Sequence, residues 1–478
     1  MKQKYVLAGL IAAGFLSTAA AAPQNEKLTT LADQREVAVT IYNENLALVK
    51  DSRKLKLERG PNQLAWREVS AQMRPETALL RNLSDPEGLR LIEQNFDFDL
   101  LTPQKLLEKY LGREVTVISI NPASGVEKRE TATVLATNSG VVLKFADRVE
   151  TGVPGRLAFS EVPDNLRDKP TLVISLASAA AGEQNLELSY LTGGLSWRAD
   201  YVAELNAKDD QLDINGWVTL NNHSGTAYNN AKLQLVAGDV NRVQEELGRG
   251  RVMPMAAKAA MAEADMSQEA LFEYHLYTLE RPTTIADNQI KQVALMSATA
   301  VPVKKELLFE GQDYYYSGQY GELGQKLKAG VFVEFTNKDG GLGIPLPKGI
   351  VRVYKKDSKG NAQFIGEDRI DHTPKNETVR LKLGDAFDVT ADRKQTDFKK
   401  LAGFSRYNYV YESAYQITIK NAKSEAVTVK VSEPMPGDWQ MQSESHPHTK
   451  AAANTAVWNI TVPAEGKTVL TYRVQVKY

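Results

Sequence analysis

The 478-residue chain contains no cysteine. That excludes a disulfide framework, a thiolate metal site, a cysteine nucleophile and a lipid-anchored cysteine. Neither sign of charge is in excess, with 58 Lys and Arg against 59 Asp and Glu, so no overall field draws the chain to nucleic acid or to an anionic membrane. Histidine is sparse. His223, His275, His372, His446 and His448 fall in no H-E-x-x-H or comparable metal spacing. There is no phosphate loop, dinucleotide fingerprint or G-x-S-x-G elbow. Beyond the first residues, no apolar run approaches the roughly 20 needed to span a bilayer as a helix. The expectation is therefore no cofactor, no metal, no nucleic-acid partner and no transmembrane span after the start of the chain.

What is present is a composition for packing. Hydrophobic residues make up 42% and charged residues 24%, which suits a folded globular chain of several domains rather than a disordered one. The start reads as a secretory signal. Lys2 and Lys4 form a positive n-region, residues 6–16 an apolar run, and residues 17–22 a small-residue site with A-x-A patterns. Pro23 disfavours cleavage directly before it, so the cut is expected after Ala21, giving a periplasmic protein. Without cysteine, its core must hold the fold unaided.

Period-2 alternation dominates the rest. Trp197, Ala199, Tyr201, Ala203 and Leu205 share one strand face, and Leu470, Tyr472, Val474 and Val476 another. Such half-apolar strands suit antiparallel sheets. Residues 102–112 are the best helix, with Thr102 as N-cap, Pro103 at the first position and Gly112 at C′. Its expected apolar stripe is Leu106, Leu107, Tyr110 and Leu111. The fold expected is mainly β: multi-domain antiparallel β-sandwiches with a small inserted β-barrel-like module and one short helix. The domains expected are an N-terminal β region over 22–100 and the helix plus inserted module over 101–165. A central sandwich over 166–350 and a C-terminal sandwich over 351–478 follow. Residues 248–270, rich in Ala and Met, read as a mobile excursion from the central sandwich.

Several longer runs carry a resemblance. They are YLTGGLSWRADY at 190–201, NNHSG at 221–225 followed by LVAGD at 235–239, YHLYTLERPT at 274–283, and LGIPLP at 342–347 with Gly349 and Arg352. Together, and in this order, they resemble the mucoidy-inhibitor-like bacterial exported proteins, whose C-terminal half is catalogued as a domain of unknown function. The resemblance implies a secreted, mostly β protein and supplies no catalytic residues.

Four constellations can be weighed from the residues alone. Tyr314, Tyr315, Tyr316 and Tyr320 lie beside Gly318 and Gly321, where rigid apolar rings with hydroxyls suit a partner-binding loop; the competing reading packs them as an interdomain plug. Glu367, Asp368, Asp371 and His372 are the densest titratable group, read as a solvated hairpin rather than a hydrolytic pair. His446 and His448 flank Pro447 in an exposed loop. Met253, Met255, Met261 and Met266 offer soft thioether ligands without setting a geometry. Tyr407, Tyr409, Tyr411 and Tyr415 share the phase of Ile417 and Ile419 and read as core.

The function expected is that of a non-catalytic binding or envelope-associated protein, with an envelope protein or glycan as partner. The alternatives are a hydrolase of envelope glycan or peptide, and an outer-membrane-associated β protein. The latter comes from the alternating end strand that closes on Tyr478.

Overall fold

The computed structural model describes residues 26–122, 124–138, 140–153, 155–163, 166–238, 241, 266–402 and 406–478. The signal segment with Ala21, and residues 248–265 of the Ala/Met-rich stretch, lie outside these. The described chain is mainly β, with several sheets and one α-helix. It divides into two compact units, each built from discontinuous stretches of the chain. The first holds the described residues up to Val37, then Leu48–Gly193 and Ser224–Thr226; the second holds Ala38–Ala47, Gly194–His223 and the described part of Ala227–Tyr478.

In the first unit a four-stranded sheet runs Lys27–Thr29, Gly60–Arg67, Thr171–Ser178, Leu89–Asp97 in spatial order. Leu64, Trp66, Leu172, Ile174 and Leu176 are fully buried from it. Arg53 and Asp51 are buried beside Trp66. The indole Nε1 donates to Asp51 Oδ2 at 2.9 Å, and the Arg53 guanidinium lies 4.7 Å from the indole centre.

The helix forms at Pro103–Lys109, and Thr102 caps it by accepting from the Lys105 amide at 3.1 Å. Leu107 and Tyr110 are buried, whereas Leu111 is exposed because the helix has already ended. Gly112 follows at φ +77, the left-handed geometry that favours glycine. The module it introduces is a five-stranded sheet ordered Val149–Thr151, Val142–Lys144, Glu127–Ala136, Glu114–Ile120, Arg156–Ala158. Its small core gathers Leu107, Tyr110, Val115, Val117, Val134 and Leu143.

The second unit contains a five-stranded sheet ordered Gln289–Pro302, Gln211–Asn222, Leu195–Leu205, Gly349–Lys356, Ala362–Ile370. Trp197, Ala199, Tyr201, Ala203 and Leu205 are all buried, as their alternation requires. The resemblance-bearing runs converge here. Trp197 Nε1 donates to the Val236 carbonyl at 3.3 Å, Tyr201 Oη to that of Pro347 at 2.8 Å, and Tyr277 Oη to that of Pro345 at 2.7 Å. Gly349 allows the parallel approach of its strand, since a Cβ there would overlap the Ala199 carbonyl. Residues 266–270, the end of the expected excursion, belong to a strand: Met266–Leu271 pairs antiparallel with Tyr274–Leu279.

A nine-stranded sheet completes this unit, running from Asp438–Glu444 at one edge to Thr449–Ala452 at the other. It folds over on itself. Trp458, from Thr455–Val462, stacks on Tyr472, from Gly466–Lys477, at 4.9 Å, although their strands stand six steps apart in the sheet's order. Both layers feed one core with Ile417, Ile419, Val429, Val431, Ile460 and Val474.

The expected Tyr407–Tyr415 core face is corrected. Tyr415 is buried, but Tyr409 is 49% exposed and Tyr411 only half-buried. The register of Thr378–Leu401 against Val410–Asn421 shifts between Gln395 and Asp397. The extra residue belongs to Thr378–Leu401; Val410–Asn421 keeps its phase against Gly466–Lys477, with Tyr411 opposite Val476 and Tyr415 opposite Tyr472, and Tyr409 lies before the strand begins.

Candidate functional site

The tyrosine loop is built on the nine-stranded sheet. Strand Lys304–Glu310 ends at Gly311, where a Cβ would overlap the Glu433 carboxylate. A 3₁₀ turn at Asp313–Tyr316 follows. Tyr314, Tyr315 and Tyr316 lie in the turn and Tyr320 follows it, and the four tyrosines separate into two pairs. Tyr315 and Tyr316 are buried at 5% and 0%, while Tyr314 and Tyr320 are exposed at 53% and 37%.

The exposed pair meets edge to face, with centroids 5.6 Å apart and planes at 76°. Tyr314 meets Tyr315 in the same way at 4.8 Å and 77°. Gln395, itself buried, ties the loop down. Its Nε2 donates to the Gly318 carbonyl at 3.0 Å, and its Oε1 accepts from the Tyr320 amide at 2.6 Å. Tyr415 Oη donates to the Tyr315 carbonyl at 2.7 Å.

Beneath lies an ionic cluster. Arg393 Nη2 is 2.7 Å from Glu433 Oε1, Tyr316 Oη donates to Glu433 Oε2 at 2.9 Å, and Tyr316 and Tyr472 hydroxyls are 3.0 Å apart. The Arg393 guanidinium sits 5.1 Å from the Tyr315 ring centre. Burial raises the Glu433 carboxyl above its ordinary value, and Arg393 and the tyrosine hydroxyls oppose that rise. Burial, then the Glu433 charge, pushes Tyr316 and Tyr472 well above the usual phenol range. Burial lifts Tyr415 to about 12. Burial thus favours the neutral phenols, which hold the Glu433 carboxyl beneath the loop.

Sequence reading missed Arg393 and Glu433, although a signal exists. Arg393 falls in phase with buried Val389 and Ala391, and Glu433 in phase with buried Val429 and Val431. A charge on the apolar phase of a strand announces a buried partner, but it does not say which one.

The other constellations stay apart. Glu367 pairs with Arg352 at 3.2 Å, Asp368 accepts from the Lys382 amide at 2.7 Å, and His372 Nδ1 accepts from the Lys348 amide at 3.2 Å. His448 Nδ1 lies 2.9 Å from Glu444, between the Trp439 and Trp458 rings, and His446 faces Ser445. Among the described residues no three His, Asp or Glu side chains gather in a metal-holding arrangement. Met253, Met255 and Met261 lie outside the described residues. Carboxylates that do converge share an arginine, as Asp397 and Glu412 do on Arg473 and Glu26 and Asp97 on Arg167. No helix among the described residues is long and apolar enough to cross a membrane.

The fold and this site define a multi-sheet β protein that presents an aromatic corner from a rigid ionic base. The chain belongs to the family described as Domain of unknown function (DUF4139), whose model matches residues 186–478. No curated protein matches the chain.

Proposed function

We propose that this is an exported protein of the bacterial cell envelope that acts by binding, and that Tyr314 and Tyr320 are its contact with a partner protein. The observation that carries the reading is the division of one short loop, residues 314–320, into two buried and two exposed tyrosines. The buried rings and Gln395 fix the loop before any partner arrives, so little conformational entropy is lost on docking. The exposed rings stand at 76° and form a corner. A corner suits an inserted protein side chain better than the flat face of a sugar, and tyrosine is a common anchor of protein interfaces.

Export rests on Lys2, Lys4, the apolar run over residues 6–16 and the small residues Ala19 and Ala21. The landmark runs over residues 190–352 support the narrower placement among the mucoidy-inhibitor-like exported proteins.

The test is capture of partners from envelope extract by the native mature protein and by the Tyr314→Ser/Tyr320→Ser variant, read by mass spectrometry. The native chain retains a specific protein and the variant loses it, with both melting at the same temperature. Equal capture by both overturns the reading. Mass spectrometry of the exported chain should find Ala22 first; an intact Met1 in the envelope fraction overturns the cleavage.

A further inference from the structure

The outer face of the central five-stranded sheet, opposite Trp197 and Tyr201, carries a continuous polar row. Gln292 Nε2 donates to Thr219 Oγ1 at 3.1 Å, and Thr219 Oγ1 donates to Asp200 Oδ2 at 2.7 Å. Arg352 Nη1 donates to Asp200 Oδ1 at 3.0 Å, and its Nε pairs with Glu367 at 3.2 Å. One residue from each of five adjacent strands takes part. Arg198 adds a further bond to Asp200 at 3.0 Å.

The charges cancel within the row, two arginines against Asp200 and Glu367. The neighbouring charges cancel too: Glu204 pairs with Lys356 at 2.6 Å, and Asp213 offsets Arg369, which the register places on the same face. Trp217 lies between Asn215 and Thr219 on the same strand face and is half-buried. Its Nε1, and Asn221 Oδ1 on that face, have no hydrogen-bond partner. Two strands away, Tyr354 meets Phe364 edge to face at 5.7 Å, and Phe364 is 55% exposed. Ile350, not Tyr354, is level with Trp217 through Asp200, and Tyr354 lies four residues further along its strand, so the two aromatic surfaces are about 16 Å apart.

We infer that this face binds a neutral oligosaccharide. A face with no net charge gives no advantage to an anionic or a cationic ligand. Its accessible members, Gln292, Arg198, Arg352 and Glu367, present donors and acceptors held in place by the buried Thr219 and Asp200, and hydroxyl groups are the ligands that both donate and accept. Trp217 and the Tyr354–Phe364 pair supply apolar surfaces for the C–H faces of sugar rings. An extended peptide seeks unpaired backbone at a sheet edge, and the middle of this face offers none, because the inner strands are paired on both sides. The row holds its own side chains in place, so binding orders little. The inference uses a different surface from the tyrosine loop and does not depend on that reading.

The test is calorimetric titration of the mature chain with neutral β-1,4- and α-1,4-linked gluco-oligosaccharides, with oligogalacturonate as the anionic counterpart. A neutral oligomer binds, and the anionic one binds at least about tenfold more weakly. Trp217→Phe, and separately Gln292→Ala and Glu367→Gln at the two exposed ends of the row, weaken binding by about tenfold or more, equivalent to about 1.4 kcal/mol. The two end variants change exposed groups, so they remain informative should Trp217→Phe lower stability. Tyr314→Ser/Tyr320→Ser leaves sugar binding unchanged. The inference is overturned by no neutral oligomer binding in the millimolar range, by binding that survives the end variants, or by binding lost in the tyrosine variant.

Discussion

Arg393 and Glu433 face each other 2.7 Å apart with 1% and 0% of their side chains exposed. Neither charge has water to fall back on, so each depends on the other. Removing one partner, by Arg393→Met or Glu433→Gln, is expected to cost about 3–5 kcal/mol by leaving polar groups buried without compensation. Arg393→Met with Glu433→Leu should recover much of that loss, since an apolar pair of similar volume leaves no charge behind. Urea denaturation of the three variants measures this; single losses below about 0.5 kcal/mol, the range of surface changes, would show that the cluster is not the base of the loop.

The tyrosine loop separates stability from contact. Tyr316→Ser removes a fully buried ring and the donor to Glu433, and should cost about 3–5 kcal/mol. Tyr314→Ser changes an exposed ring and should stay within about 0.5 kcal/mol. Thermal denaturation of the two variants side by side decides it; similar losses would mean that the turn is packed as one piece.

Trp197 is 4% exposed and lies 6.4 Å from the Tyr277 ring. Trp197→Ala should destabilise by about 3–5 kcal/mol through the cavity it leaves. Tyr201→Phe removes only the hydroxyl and strands the Pro347 carbonyl, for about 1–3 kcal/mol. A larger loss from Tyr201→Phe than from Trp197→Ala would contradict this ordering in a denaturant titration.

Asp200 has a pH signature. Burial raises its carboxyl, but bonds from Thr219 and Arg352 and the charge of Arg198 outweigh that and leave it below the ordinary 3.8. A carboxyl depressed in the folded state contributes stability above its unfolded value and loses it as pH falls through the folded one. Asp200→Asn should therefore destabilise the protein at pH 7, by about 1.5–3 kcal/mol for a charged hydrogen bond. The gap to the native chain should narrow as the pH drops below the ordinary 3.8. A gap that is constant from neutral pH into that acid range would assign the loss to packing instead of charge.

Features that depend on near neighbours are legible in the residues alone. Period-2 alternation placed Trp197 to Leu205 and Leu470 to Val476 on buried faces, because a strand's side chains alternate whatever it pairs with. Thr102, Pro103 and Gly112 marked the helix, because caps act over one turn. The absence of cysteine and of charge excess set what the core must do unaided. Tertiary structure decided whatever depends on pairing at a distance. The parallel register of Ala199 with Gly349 brings Asp200 to Arg352, and no local pattern encodes a contact across that length of chain. Tyr409 shares the apolar phase of Tyr415 but lies before the strand Val410–Asn421 begins, and there it is exposed. The four tyrosines near residue 316 are alike in sequence; only the place of Arg393 and Glu433 beneath the turn made two of them core and left two facing water. Burial is a property of the packed layers, and a residue's own chemistry sets only what burial costs.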